Sequence, residues 1–207
     1  MTILNVSLAR ERALIASNTG TWQFDRKGGR TSKLIALPHI NAVLAFRGAE
    51  PMFLNVPCHC AQADANDVDG VIDRMFDLLL VSHSEVTQYA AQFLKTAIGD
   101  WELLLAGWSP QHGRPVASIF SENGGRLVRN PVGTYCIAPA DGIPDHDPDT
   151  TEKMIELAKQ QYARKPSVEQ GCGGHLILAE IECDRLTIQK LCELSPRLEG
   201  RPHPDGA

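Results

Sequence analysis

Three stretches of the chain combine residue types that can hold a metal or act as a nucleophile. Cys58-His59-Cys60 offers two thiols and an imidazole. One residue between the cysteines is too few for a zinc knuckle, and no second half follows. Asp141, Asp145, His146, Asp147 and Asp149 crowd a short segment whose oxygens suit Ca²⁺ or Mg²⁺. The segment lacks the glycine and terminal glutamate of an EF-hand, so it reads as a solvated loop that caps the next helix. No metal and no cofactor are assigned. Cys172 stands near His175 among three glycines. The two are either a thiol nucleophile with its base or chance neighbours in a turn. Trp22 and Trp108 either line a cleft or pack in a core.

The elements that must position such groups come from a chain of 207 residues, enough for one sizeable core. Residues 1–194 are read as a single domain. Residues 195–207, with three prolines and two glycines, are read as a flexible tail. The net charge is -5 and no Lys/Arg run appears, which disfavours a nucleic-acid partner. No stretch reaches the roughly 18 to 20 apolar residues that span a bilayer, and no secretory signal is evident. A cytoplasmic, non-membrane protein is the simplest inference. Its six cysteines are then read as reduced thiols.

Residues 2–8 and 13–17 alternate as a hairpin, and 33–37 and 42–46 as a second, with a turn at Pro38-His39-Ile40-Asn41. Residues 50–62 suggest a short helix that Pro57 weakens. Val71, Met75, Leu78, Leu79, Val86, Tyr89 and Phe93 mark a helical face over 67–97, capped by Asn66 or Asp67, with a break at His83-Ser84. Strands follow at 101–107, 115–120, 126–129 and 133–138. Asp149 or Thr150 caps a helix at 151–164 that turns Met154, Ile155, Leu157, Ala158 and Tyr162 inward. A last hairpin occupies 174–182 and 185–191. The order strands, helices, strands, helix, strands predicts an α+β fold. Two stacked antiparallel sheets would be flanked by helices in a four-layer αββα sandwich.

That order resembles proteasome β-subunits and the related bacterial ATP-dependent peptidase subunits, over residues 2–190. Five segments carry the likeness. Ala13-Leu14-Ile15-Ala16-Ser17-Asn18 resembles the family's second strand. Ser32-Lys33-Leu34-Ile35-Ala36-Leu37 resembles the strand that opens with the catalytic lysine. Ala45-Phe46-Arg47-Gly48-Ala49 resembles the turn into the first helix. Leu104-Leu105-Ala106-Gly107-Trp108 resembles the strand after the long helix. Gly171-Cys172-Gly173-Gly174 resembles a Ser-Gly-Gly segment.

The resemblance implies an N-terminal nucleophile (Ntn) hydrolase, a threonine-type peptidase or amidase working by acyl transfer. Thr2 would be the nucleophile and its own α-amine the base, once Met1 is removed; a small second residue suits that trimming. Lys33 would tune the amine by like-charge repulsion. The Gly48 N–H would hold the oxyanion. Asn18 and Glu169 would orient the group. The family also implies a homo-oligomer such as a ring, a peptide or amide substrate, and an ATPase unfoldase as partner. Four positions depart from the family pattern. Asn18 replaces an aspartate, with Asp25 the nearest substitute. Glu169 replaces a second aspartate. Cys172 replaces a serine. Ile137-Ala138-Pro139-Ala140 replaces Gly-Ser-Gly, and Pro139 has no N–H to donate. A catalytically inactive subunit that assembles in the same way is the alternative, and a small-molecule-binding domain of the same fold is a third reading.

Overall fold

The structure is a computed structural model that describes residues 2–20, 32–95, 97–140, 142–143, 145–164 and 174–194. Glu169, Cys172, Asp25, Trp22, Asp141 and the 195–207 tail lie outside those residues.

Two five-stranded sheets, antiparallel throughout, carry the described chain. The opening hairpin is β1 (Leu4–Leu8) and β2 (Ala13–Asn18). The second is β3 (Leu34–Leu37) and β4 (Ala42–Gly48), joined by the 3₁₀ turn Pro38–Ile40. Next come α1 (Glu50–Gln62), α2 (Val68–Tyr89) and a π-helical turn, Ala90–Leu94. Strands β5 (Trp101–Ser109), β6 (Arg114–Asn123), β7 (Arg126–Pro131) and β8 (Tyr135–Ala138) follow. Helix α3 (Thr151–Arg164) precedes β9 (His175–Ile181) and β10 (Leu186–Glu193). The first sheet has the order β10-β9-β2-β1-β8 and the second β3-β4-β5-β6-β7. Chain order and sheet order differ at one place that matters: β8 leaves its sequence neighbours to pair with β1. The N-terminal strand is therefore flanked on both sides.

Alternation along the strands gives each sheet two apolar faces, and the core is divided accordingly. Leu4, Val6 and Ile15 of the first sheet pack with Leu34, Val43, Ala45 and Leu104 of the second. The opposite face of the second sheet, with Leu44, Leu103 and Leu105, buries Val56 of α1 and Val71, Met75 and Leu79 of α2. The opposite face of the first, with Ile3, Leu14 and Leu178, buries Met154 and Ala158 of α3. Full burial of such a side chain is worth roughly 1.5–3 kcal/mol. Gly107 belongs to this packing: a Cβ there would lie 2.7 Å from Val68 Cγ2 and 2.8 Å from Ala42 Cβ. The absent side chain lets the start of α2 rest on β5.

Helix signals read from the sequence are met by side-chain caps. Asp67 Oδ1 accepts from Gly70 N at 2.8 Å, and Thr150 Oγ1 accepts from Lys153 N at 3.2 Å. The helix expected at 50–62 is present, and two other expectations are corrected. Pro57 lies inside α1 without ending it, because Met52, Val56 and Cys60 form a fully buried stripe at four-residue spacing that holds the helix to the sheet. There is no break at His83-Ser84: α2 runs through both, with Ser82 and Val86 buried on either side. Tyr89 and Phe93 face outward, 51% and 69% exposed, and their rings stack on one another at 5.1 Å. The buried line passes instead through Met75, Leu79, Ser82, Val86 and Ala90.

Candidate active site

The first sheet delivers Thr2 and the second delivers Lys33. Thr2 is the half-buried residue leading into β1, and Lys33 is the buried residue leading into β3. Lys33 Nζ donates to Thr2 Oγ1 at 2.9 Å. An ammonium carries donors only, so Oγ1 is the acceptor and its own proton points elsewhere. A cation held on that oxygen favours the alkoxide over the alcohol.

Two neighbours fix the backbone beside Thr2. Strand register pairs Leu4 with Ser17, which sets Ile3 against Asn18. Asn18 Oδ1 accepts from Ile3 N at 2.7 Å, and Ser17 Oγ donates to Ile3 O at 2.9 Å. Both Ile3 backbone groups are thereby held from side chains of one strand end. Ser17 and Asn18 are fully buried. Asn18 thus orients the group through the chain, as a neutral amide. Further along β1, Asn5 and Gln161 of α3 form a reciprocal amide pair, with N···O distances of 2.8 and 3.0 Å. Gln161 Nε2 also donates to Pro139 O at 2.9 Å. Pro139, which cannot donate, still ties its own loop to α3 as an acceptor.

Gly48 closes β4. Phe46 N donates to Lys33 O at 3.2 Å, so Gly48 lies two residues along from the backbone partner of Lys33. Its φ is +90°, and a Cβ there would fall 2.0 Å from Asp100 O. Only glycine fits that conformation and that approach. Ala49 N is bonded to Asp100 O at 3.0 Å, which pins the turn to the start of β5.

No family model matches the chain, and no curated protein matches it.

The other candidates are dispersed. Cys58 is exposed, while Cys60 is fully buried with its thiol pushed up to about 12 by burial. His59 between them meets Glu85 at 2.9 Å, and that bond holds the Glu85 carboxyl below its usual range. In the acidic stretch, Asp145 accepts from Tyr135 OH at 2.7 Å, and Asp149 accepts from Lys153 Nζ at 2.6 Å. These bonds raise the Tyr135 and Lys153 pKa values and lower that of Asp149. Those two carboxylates serve separate local partners. His175 begins β9, with its N–H on Thr19 Oγ1 at 2.9 Å and its carbonyl accepting from Thr19 N. Cys136 on β8 packs against the inter-sheet core, and burial and the Glu102 carboxylate both raise its pKa. Trp108 packs partly against that core as well.

Of the residues singled out from sequence, Thr2 and Lys33 are in contact, Asn18 holds the residue after Thr2, and Gly48 ends the strand bonded to Lys33. Ser17, Asn5 and Gln161 were missed. Two polar residues closing an apolar strand, Ser17-Asn18, were the signal for the first.

Proposed function

We propose that the protein is a divergent N-terminal nucleophile hydrolase that cleaves a peptide or amide bond by acyl transfer through Thr2. The observation that carries this reading is the 2.9 Å bond from the Lys33 ammonium to the Thr2 hydroxyl, across two sheets. In support stand the packing of both sheets face to face and of helices on each outer face, which is the order of a four-layer αββα sandwich.

With Met1 removed, the Thr2 α-amine is a base with an ordinary pKa of roughly 7.7–8.0. The hydroxyl proton passes to that amine as Oγ1 attacks the carbonyl carbon. Lys33 stabilises the charge developing on Oγ1, and the Gly48 N–H receives the oxyanion. The C–N bond breaks as the leaving amine takes the proton back from the α-amine. Water, deprotonated by the same amine, then attacks the ester carbonyl and releases the acid and the Thr2 hydroxyl. The reaction calls for no cofactor, and the setting proposed for it is the cytoplasm.

Assembly with further copies fits the exposed apolar side chains on the helical side. They include Leu54 on α1 and Leu80 and Val81 on α2, 63%, 59% and 48% exposed. An ATPase unfoldase is the partner such an assembly would serve.

One observation favours the inactive-subunit reading. The side chain at Asn18 is an uncharged amide whose oxygen is committed to Ile3 N, where the family resemblance expects a carboxylate. The two readings separate on the mature protein. Intact mass lacking Met1, together with β-lactone labelling that Thr2→Ala abolishes, is expected of the enzyme. Stable retention of Met1 with no labelling would establish the inert subunit, and labelling that survives Thr2→Ala would remove Thr2 from the chemistry.

A further inference from the structure

Strand β1 has Thr2 before one end and a cavity at the other. Leu8, Ala9 and Arg10 form one wall of that cavity, which has a volume of about 600 Å³ and opens between β6, β7 and the start of α2. Seven residue steps of extended chain lead from Thr2 to Ala9, about 23 Å at ~3.3 Å per step. The cavity is thus remote from the hydroxyl, and what it binds is independent of the hydrolase reading.

Three arginines line it: Arg10, Arg114 and Arg129. Among the described residues, Arg10 and Arg114 form no ion pair, and Arg129 is bonded by side chain only to a neutral hydroxyl. That bond, from Arg129 Nε to the buried Ser118 Oγ at 3.1 Å, fixes the guanidinium by its inner nitrogen and leaves both outer nitrogens for a ligand. Asp69 and Asp73 also border the cavity, but Asp69 accepts from Ser109 Oγ at 2.7 Å and is turned to that use. Apolar side chains share the lining with polar ones, among them Ile72, Val116 and Val132.

A planar fork of donors suits a two-oxygen anion, and the apolar lining suits a compact hydrocarbon body. We propose that this cavity is a binding site for a small organic oxyanion, with its phosphate or carboxylate on Arg114 and Arg129 and its apolar part against Val116 and Val132.

The test is calorimetric titration of the full chain with phenyl phosphate and with benzoate, using phenol as the neutral control. Saturable binding of either anion, weakened by salt and absent for phenol, is expected. The two arms show which head group the forks accept. Arg129→Gln should weaken binding about tenfold or more, the worth of one charge-assisted hydrogen bond. The double variant Arg114→Gln/Arg129→Gln should abolish it, and near-UV dichroism should show both variants folded. Thr2→Ala should bind as the parent does, which separates this site from the hydrolase reading. Failure of both anions to bind, or binding undiminished in the folded double variant, overturns the proposal.

Discussion

Lys33 Nζ lies 2.9 Å from Thr2 Oγ1, and the two residues come from different sheets. The contact joins layers and so depends on the packing of Leu4, Val6 and Ile15 against Leu34, Val43 and Ala45 between them.

Replacing Thr2 by alanine removes the proposed nucleophile and little packing, since the side chain is only half-buried. Labelling by a β-lactone probe should fall by on the order of 10³ or more, while the urea midpoint moves little. Thr2→Ser, which keeps the oxygen, should retain labelling.

Lys33→Met keeps most of the aliphatic stem and removes the charge. The rate of labelling should fall by about ten- to a hundredfold, matching roughly 1.5–3 kcal/mol for a hydrogen bond from a charged donor. A labelling rate equal to the parent's would show that the ammonium does not act on Thr2.

Asn18→Ala leaves the Ile3 N–H, in a fully buried residue, without its acceptor. The variant should lose about 1–3 kcal/mol in urea denaturation. Asn18→Asp should keep the bond, because a carboxylate accepts as well as an amide does. A stable Asn18→Ala would mean that this bond is not what holds the strand end.

Gly48→Ala should destabilise by more than about 2 kcal/mol, because it combines a left-handed φ of +90° with a Cβ placed 2.0 Å from Asp100 O. Thermal melting would show the loss. An unchanged melting temperature would require the β4–β5 turn to have another geometry.

Cys60 gives a pH signature. Its folded thiol sits at about 12 against an ordinary 9.0, so the folded state keeps a proton that the unfolded chain gives up between those values. Stability should therefore be unaffected by Cys60 below pH 9 and decline as pH rises toward 12. Cys60→Ala should flatten that decline. At pH 8 iodoacetamide should modify exposed Cys58 and leave Cys60 untouched in the folded protein.

Where one physical signal dominated, the fold could be read in the chain. Strand hairpins and the inward face of α3 follow from apolar periodicity, and both long caps follow from Asp67 and Thr150. Failures arose where tertiary context outweighed local pattern. The break expected at His83-Ser84 is absent because Ser82 and Val86 are buried on either side of it. Tyr89 and Phe93 read as core because they are apolar, yet the helix phase carries the core line past them to Ala90. Gln161, on which the sequence gives no signal, is 2% exposed because its amide is satisfied by Asn5, 156 residues away. Thr2 and Lys33 were singled out through resemblance. Their contact depends on how the two sheets stack, which no local pattern in either strand encodes.

The placement of β1 between β2 and β8 has a practical side. Both lateral edges of the strand are paired, and the residue ahead of it carries the hydroxyl bonded to Lys33. In the proposed enzyme an N-terminal affinity tag would acylate the Thr2 amine, so purification handles belong at the other terminus.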